Sequence, residues 1–332
     1  MVNSKFNVKI GRVFQRLLPW VVTIGIFTFL FHQIPITKVY EAAAHVNLWI
    51  LAPVIFFGFI MYFLWDVLVF TFLFKEVGTK VPYPEMLAIR GAAHLLTIVN
   101  YFAGAGSVAI LMNRWKKIPI SRAGSVVVFK LFLEYYMILA LCLLTAFHIP
   151  GIDLELFFTN SEEGNFVKLI VLSWTDFLAI LLFFHLVLPH TNHFKWIKSS
   201  SILSAFRDVQ PPKYFLFILV QVIGFFLFDI LVVFLAFKIF GLNIPFLFFI
   251  VFFPIVRLIE ALPISVMGLG TSQMAMIWLF TPFMDNINSK SALTASILAF
   301  SLLFTIFSNL GRLFVGAISI RFLPESIWKL TK

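Results

Sequence analysis

Apolar runs of about 20 residues recur along the whole chain, and about 20 residues is what a helix rising 1.5 Å per residue needs to cross a hydrocarbon layer roughly 30 Å thick. The runs at 17–34, 48–74, 123–147, 167–188, 214–237 and 292–320 are predicted as spanning helices, about six in all. Composition points the same way. Of the 332 residues, 61% are hydrophobic and 12% charged, against roughly a quarter charged in a soluble domain; no soluble core could absorb that excess. The expected fold class is an all-α polytopic membrane protein. No small-residue cleavage site follows 17–34, so that run reads as a retained helix. The single cysteine, Cys142, lies inside a span and has no internal disulfide partner.

Cations near the ends of spans stay on the cytoplasmic side. Lys5, Lys9, Arg12 and Arg16 precede the first span, Arg114, Lys116, Lys117 and Arg122 form a second cluster, and Lys195, Lys198, Arg207 and Lys213 a third. Both termini are therefore expected in the cytoplasm and the chain in the plasma (inner) membrane. The stretch 148–165 carries Asp153, Glu155, Glu162 and Glu163 without a cation, as an outward loop does. The net charge of +10 is thus a topology signal plus attraction to anionic lipid, and does not indicate nucleic acid. Trp20, Trp49, Trp115, Trp196 and Trp328 fall near the expected interfaces.

Two further apolar stretches, 86–112 and 246–280, are interrupted by Gly and Pro. The first has cations on both flanks and should enter and leave from the cytoplasm; by the same count the second should enter and leave from outside. Irregular backbone at membrane depth survives only where protein or a water-filled cavity covers it, so each stretch is expected to be a re-entrant pair of half-helices facing an internal site. An internal repeat supports this. Asp66, Lys75, Gly78 and Pro82 return at Asp229, Lys238, Gly241 and Pro245, always with the 163-residue step from 66 to 229. The local pattern is K-x-x-G-x-x-[VI]-P both times. Gly104-Ala105-Gly106-Ser107 returns as Gly268-Leu269-Gly270-Thr271, one residue further on. Three crossings separate the two copies, which makes the expected architecture an inverted-topology repeat: 1–150 is the first half (two helices, a cytoplasmic re-entrant pair, one helix) and 151–332 the second (two helices, an outer pair, one helix).

A family resemblance sits on these glycine motifs. Ala103-Gly104-Ala105-Gly106-Ser107, followed by the basic segment 114–123 and then 126–135, resembles the first signature of the lysylphosphatidylglycerol synthase transmembrane family. The stretch 262–271, in which Leu-Pro-Ile-Ser runs into Gly-Leu-Gly-Thr, is similar to the second. The likeness covers nearly the whole chain in topology and about 45 residues in motif. It implies the flippase-like part of those proteins, without their soluble aminoacyl-transferring domain, and translocation of a lipid or lipid-linked group between leaflets. The family pattern places an Arg between the glycines of the first signature and an acid just after each motif, where this chain has Gly104, Ser107 and Gln273. Its adjacent acid and base on the next helix are replaced by Lys130 and Glu134, four residues apart.

Ionisable residues inside spans are the remaining candidates, each costing about 2.5–3.5 kcal/mol at a helix centre on insertion scales. Lys130 and Glu134 share a helical face and form either a mutually neutralised pair, in which case exchanging them should restore function, or a substrate or proton site. Asp66 and Asp229 either serve an ion-coupling role or have a structural one, partnering Arg90 or Arg257 or capping the neighbouring re-entrant backbone. Asp176 is central and alone. Arg257, with Glu260 one turn on, precedes the second glycine motif and either grips a phosphate with its planar fork or satisfies freed carbonyls. Arg312 is read as snorkelling towards an interface. Gly104, Gly106, Ser107, Gly268, Gly270, Thr271 and Gln273 complete the expected substrate-binding set: the glycines turn the chain, and the second half-helices start near Ser107 and Thr271 with anion-attracting ends. Close helix packing is the alternative use of those glycines.

His94 and the other histidines lack ligand spacing, so no metal site is expected, and no cofactor motif appears. Neither a nucleophile with its base nor a P-loop is present, which argues against an enzyme and against a nucleotide-driven pump. Three functions fit: a flippase-like translocator of a lipid or lipid-linked anionic substrate, a secondary transporter of a small soluble solute, or a non-transporting membrane partner of a lipid-modifying enzyme.

Overall fold

The computed structural model describes residues 2–147, 204–262, 264–284 and 290–327, and every regular element among them is helical. α1 (Val2–Gln33) is followed by the short α2 (Ile36–Ala44), α3 (Leu48–Glu76), α4 (Tyr83–Thr97), α5 (Tyr101–Lys116) and α6 (Ile120–Phe147). After the undescribed stretch come α7 (Ser204–Asp208), α8 (Pro211–Phe225), a π-helical turn (Phe226–Ile230) that runs straight into α9 (Leu231–Ile239), then α10 (Phe246–Ala261), α11 (Thr271–Phe280) and α12 (Lys290–Ile320). Among the described residues Leu48–Glu76, Lys213–Ile239 and Ser291–Ile320 are each long and apolar enough to cross a membrane. α6 is 28 residues long and carries Lys130 and Glu134. The expected span 167–188, with Asp176, lies outside the described residues.

The first expected span ends at Gln33, and α2 follows it across a bend of 84°. Pro35 caps α2, and a proline cannot continue the preceding helix. Outward faces are apolar throughout: Leu17, Trp20 and Ile24 on α1, Phe215 and Leu219 on α8, and Leu310 and Phe314 on α12 are all exposed. A soluble protein does not leave contiguous apolar surface of this extent uncovered, and lipid is the solvent such a shell suits. The chain is a polytopic membrane protein.

The two interrupted stretches become hairpins, α4 against α5 and α10 against α11. Each is entered the same way. At the end of α3, Gly78 takes φ +76° and Thr79 N–H donates to the Phe74 carbonyl at 2.8 Å; at the end of α9, Gly241 takes φ +81° and Leu242 N–H donates to Phe237 at 3.0 Å. These are the same helix-closing bonds, and Pro82 and Pro245 then stand at the N-caps of α4 and α10. The K-x-x-G-x-x-[VI]-P repeat is therefore a stop-and-restart between a long helix and a hairpin. Between the halves the packing is reciprocal: α4 lies along α12, the last helix of the other half, while α10 lies along α6.

The hairpins turn differently, and the expected break at Gly104 and Gly106 is corrected. The first break falls at 98–100, where the Asn100 side chain accepts from Phe102 N–H (2.9 Å) and Ala103 N–H (3.1 Å) and so starts α5 six residues before Ser107. An Asn cap satisfies orphan helix donors directly; no glycine is needed. Gly104 is instead a contact point, since a Cβ there would come 2.0 Å from Thr97 Oγ1 and 2.7 Å from Thr97 Cα, whereas Gly106 faces open space. The second break spans the loop before Thr271, and there the expectation of a glycine turn matches: Gly268 (φ +72°) and Gly270 (φ +87°) are left-handed.

Gly106→Ala, in an open helical position, should raise stability by about 0.4–1 kcal/mol. Gly104→Ala, which overpacks α4 against α5, should lower it by about 1–3 kcal/mol. Thermal unfolding of the detergent-purified variants reads both; equal effects would show that the α4–α5 contact is not tight.

Candidate functional site

Helical spacing puts the buried polar side chains in pairs. Arg90 and His94 on α4, Lys130 and Glu134 on α6, and Ser308 and Arg312 on α12 are each four apart, and Arg257 and Glu260 on α10 three apart, so each pair shares a helix face. The hairpin packing turns these faces towards one another. Between them lies a cavity of about 170 Å³ whose wall includes Arg90, His94, Glu134, Asp229, Arg257 and Arg312. Both halves contribute. That space is ample for several waters or a small ionic group.

Each half closes an ion pair between its long helix and the first arm of its hairpin. In the first, Arg90 Nε donates to Asp66 Oδ2 at 2.6 Å; in the second, Arg257 Nε and Nη2 donate to Asp229 Oδ2 and Oδ1 at 2.8 and 2.5 Å. The two aspartates are the repeat-related Asp66 and Asp229. Around the first pair, Lys130 Nζ reaches Asp66 Oδ1 at 2.5 Å and also bonds Glu134, whose Oε2 accepts from the Tyr101 hydroxyl at 2.5 Å. Around the second, Arg257 Nη1 donates to Glu260 Oε2 at 2.7 Å, and Arg312 Nη2 stands 3.8 Å from Glu260 Oε1. Four cations thus face four carboxylates. Such neutrality is required, because an uncompensated ion at low dielectric costs several kcal/mol. Phenylalanine faces add to it: Arg90 and Lys130 lie 5.5 and 5.3 Å from the Phe70 centroid, and Arg257 lies 5.3 and 5.1 Å from those of Phe253 and Phe304. Asp229 sits in the π-helical turn, whereas Asp66 sits in regular helix; π turns of this kind recur where a helix presents a functional side chain.

Of the residues expected to bind substrate, only Arg257 is on the cavity wall, and its fork is already engaged by two carboxylates. The glycine motifs sit behind the wall. Ser107 Oγ donates to the Gly104 carbonyl at 2.6 Å, Thr271 Oγ1 is 2.8 Å from Ser265 Oγ, and Gln273 accepts from Gly270 N–H at 2.6 Å while its Nε2 donates to Thr305 at 3.2 Å. Those bonds are local to the start of each second arm, apart from the one by which Gln273 reaches Thr305 on α12. Gly104 and Gly268 act on the cavity indirectly: each is pressed against a wall residue, Thr97 in one half and Glu260 in the other, where a Cβ at Gly268 would lie 2.7 Å from Glu260 Cγ.

Asp66, Lys130, Glu134, Asp229 and Glu260 all enter the network. Arg312 does not snorkel outwards; it lines the cavity, because the face of α12 that carries it is turned inwards by α4. His94 and Tyr101 were not singled out by the sequence as site residues. For His94 the signal was its position one turn from Arg90, and for Tyr101 its place beside the helix break.

A family model described as the lysylphosphatidylglycerol synthase TM region matches residues 16–311. The chain belongs to this family. The match takes in the cavity lining from Ile55 on α3 to Ser308 on α12 and ends one residue before Arg312. Relative to the pattern of charges that the lysylphosphatidylglycerol synthase TM resemblance led one to seek at the glycine motifs, this chain carries its charges on the helices that face the cavity. No curated protein matches the chain.

Among the described residues none of the acidic, histidine and cysteine side chains cluster as a metal site would. Lys130→Ala should cost about 3–5 kcal/mol, since it leaves the Glu134 carboxylate buried without its cation and Asp66 with Arg90 alone. Exchanging Lys130 and Glu134 should recover none of that loss, because it sets a carboxylate against Asp66. Unfolding midpoints of the single and exchanged variants decide it; recovery by the exchange would reduce the network to an isolated pair.

Proposed function

We propose that this membrane protein translocates a lipid or lipid-linked substrate with an anionic headgroup between the two leaflets, and performs no covalent chemistry on it. The observation that carries the reading is the small charged cavity bounded by both halves, with an equivalent Asp–Arg pair from each. Family membership supports it, because lysylphosphatidylglycerol synthases act on a phospholipid by their name. Cavity size supports it as well: about 170 Å³ admits a headgroup, while the apolar exterior leaves the chains in the membrane.

In this reading the halves are an inverted repeat, the first hairpin entering from the cytoplasm and the second from outside, with both termini cytoplasmic in the inner membrane. Reciprocal packing of α4 on α12 and α10 on α6 then lets one unit rock against the other around the cavity, exposing it to each leaflet in turn. The ion pairs hold each half together during that motion, since each closes within its own half. Without a nucleotide site, net movement follows a gradient of the lipid, an ion or a consuming partner such as a lipid-modifying enzyme.

Reconstitution tests the activity. Proteoliposomes carrying fluorescently labelled phosphatidylglycerol should lose leaflet asymmetry faster than protein-free vesicles, with a neutral-headgroup lipid unaffected. Uptake of a soluble anion with no lipid movement would replace the reading by a solute transporter.

Topology has its own test. In a Cys142→Ser background, Lys80→Cys and Lys117→Cys, at exposed positions flanking the first hairpin, should react with polar thiol reagents from the cytoplasmic side. Asn243→Cys, exposed before the second hairpin, should react from the outer side. Labelling of all three from one side would end the inverted arrangement.

A further inference from the structure

The charged network leaves some of its donors unspent, and these are gathered on one wall of the cavity. Arg257 is the most committed, with each of Nε, Nη1 and Nη2 already donating to a carboxylate of Asp229 or Glu260. Arg90 uses only Nε, on Asp66; its two Nη groups bond nothing among the described residues. Arg312 gives Nη1 to the neutral amide of Asn309 at 2.8 Å, and its nearest carboxylate, Glu260, is 3.8 Å away. His94, one turn from Arg90, lines the same cavity, 7% exposed and with neither Nδ1 nor Nε2 hydrogen-bonded. Phe59 and Phe63 meet the imidazole nearly edge-on, 5.6 and 5.3 Å away, and set its plane. A buried ring with both nitrogens unpaired is an exception that calls for a missing partner.

The three residues belong to a single joint. Arg90 and His94 are one turn apart on α4, Ser308 and Arg312 one turn apart on α12, and all four line the cavity. α4 and α12 are in intimate contact just beyond, where a Cβ on Gly91 would come 1.9 Å from Ser319 Oγ. Meanwhile the carboxylates nearby are matched: Asp66 has Arg90 and Lys130, Glu134 has Lys130 and Tyr101, and Asp229 and Glu260 share Arg257.

We propose that Arg90, His94 and Arg312 form an anion subsite at the α4–α12 joint that binds the phosphate group of the substrate, a proposal that rests on the translocator reading above. A planar guanidinium offers paired donors that match phosphate oxygens, and the imidazole N–H supplies a further donor. Because α4 comes from the first half and α12 from the second, the bound phosphate bridges the halves. Arg257 is then a structural cation, and the headgroup is read by the α4–α12 joint.

Ligand-dependent thermal stability of the full chain in detergent tests this, with three probes: a short-chain phosphatidylglycerol, inorganic phosphate, and a short-chain diacylglycerol that lacks the phosphate. The phosphatidylglycerol should raise the unfolding midpoint of the wild-type protein and the diacylglycerol should not. His94→Phe, which suits its aromatic neighbours, and Arg312→Gln should each weaken the phosphatidylglycerol response by about tenfold or more, the loss of a charge-assisted or buried hydrogen bond. Stabilisation by inorganic phosphate at comparable concentration would name the free anion as sufficient ligand; a response to the lipid alone would name the headgroup in its glycerol context. Both support the subsite. Wild-type affinity in both variants overturns it, as does a wild-type protein that responds to neither phosphate-bearing probe. Should His94→Phe fail to fold, Arg312→Gln decides alone. Binding that meets these expectations in a protein that moves no lipid would sink the translocator reading and leave the subsite standing; lipid movement with unaltered binding in the variants would do the reverse.

Discussion

A charge held at low dielectric must have its counter-charge beside it, and in this protein that requirement dictates which helices meet. Asp66 on α3 cannot be buried without Arg90 on α4 and Lys130 on α6, and Asp229 cannot be buried without Arg257 on α10. The two Asp–Arg bonds each tie a long helix to the hairpin that follows it, and Lys130 ties α3 to α6. Lipid gives no hydrophobic reason for one apolar helix to prefer another, so partner choice falls to close contacts and to polar groups, and here the polar groups are concentrated on the inner faces. The cavity lies where those inner faces converge. It exists because ion pairs and aromatic rings hold the faces together without filling the space between them.

Glycine serves this arrangement in two ways that look identical in the amino-acid sequence. In the second hairpin Gly268 and Gly270 occupy left-handed conformations in a true turn. In the first, Asn100 does the turning and Gly104 merely lets α5 approach Thr97. The two motifs nevertheless end with the same consequence, a wall residue pressed into place by a glycine. Equivalent positions in a repeat can thus keep a role in the site after the local backbone has diverged.

On the proposed translocator reading, the electrical balance of the cavity bears on release, because four cations and four carboxylates leave no strong field to trap an anion. Recognition would then depend on geometry, on which donors are left over once the ion pairs have formed, and on the proposed reading these are the ones at the α4–α12 joint.

The apolar run lengths alone settled that this chain is a helical membrane protein, since backbone polar groups in lipid leave few other options. The K-x-x-G-x-x-[VI]-P repeat located both hairpins, because a closing glycine followed by a proline ends one helix and starts another whatever surrounds it. The pairing of Asp66 with Arg90 and Asp229 with Arg257 was open in the sequence as one of several uses. Tertiary structure decided the rest. That Lys130 serves two carboxylates, that Arg312 turns inwards, and that the glycine motifs stand behind the cavity wall all depend on how α4 lies on α12 and α10 on α6. These contacts include residues more than two hundred positions apart in the chain, and no local pattern encodes which face of a helix its distant neighbour will cover.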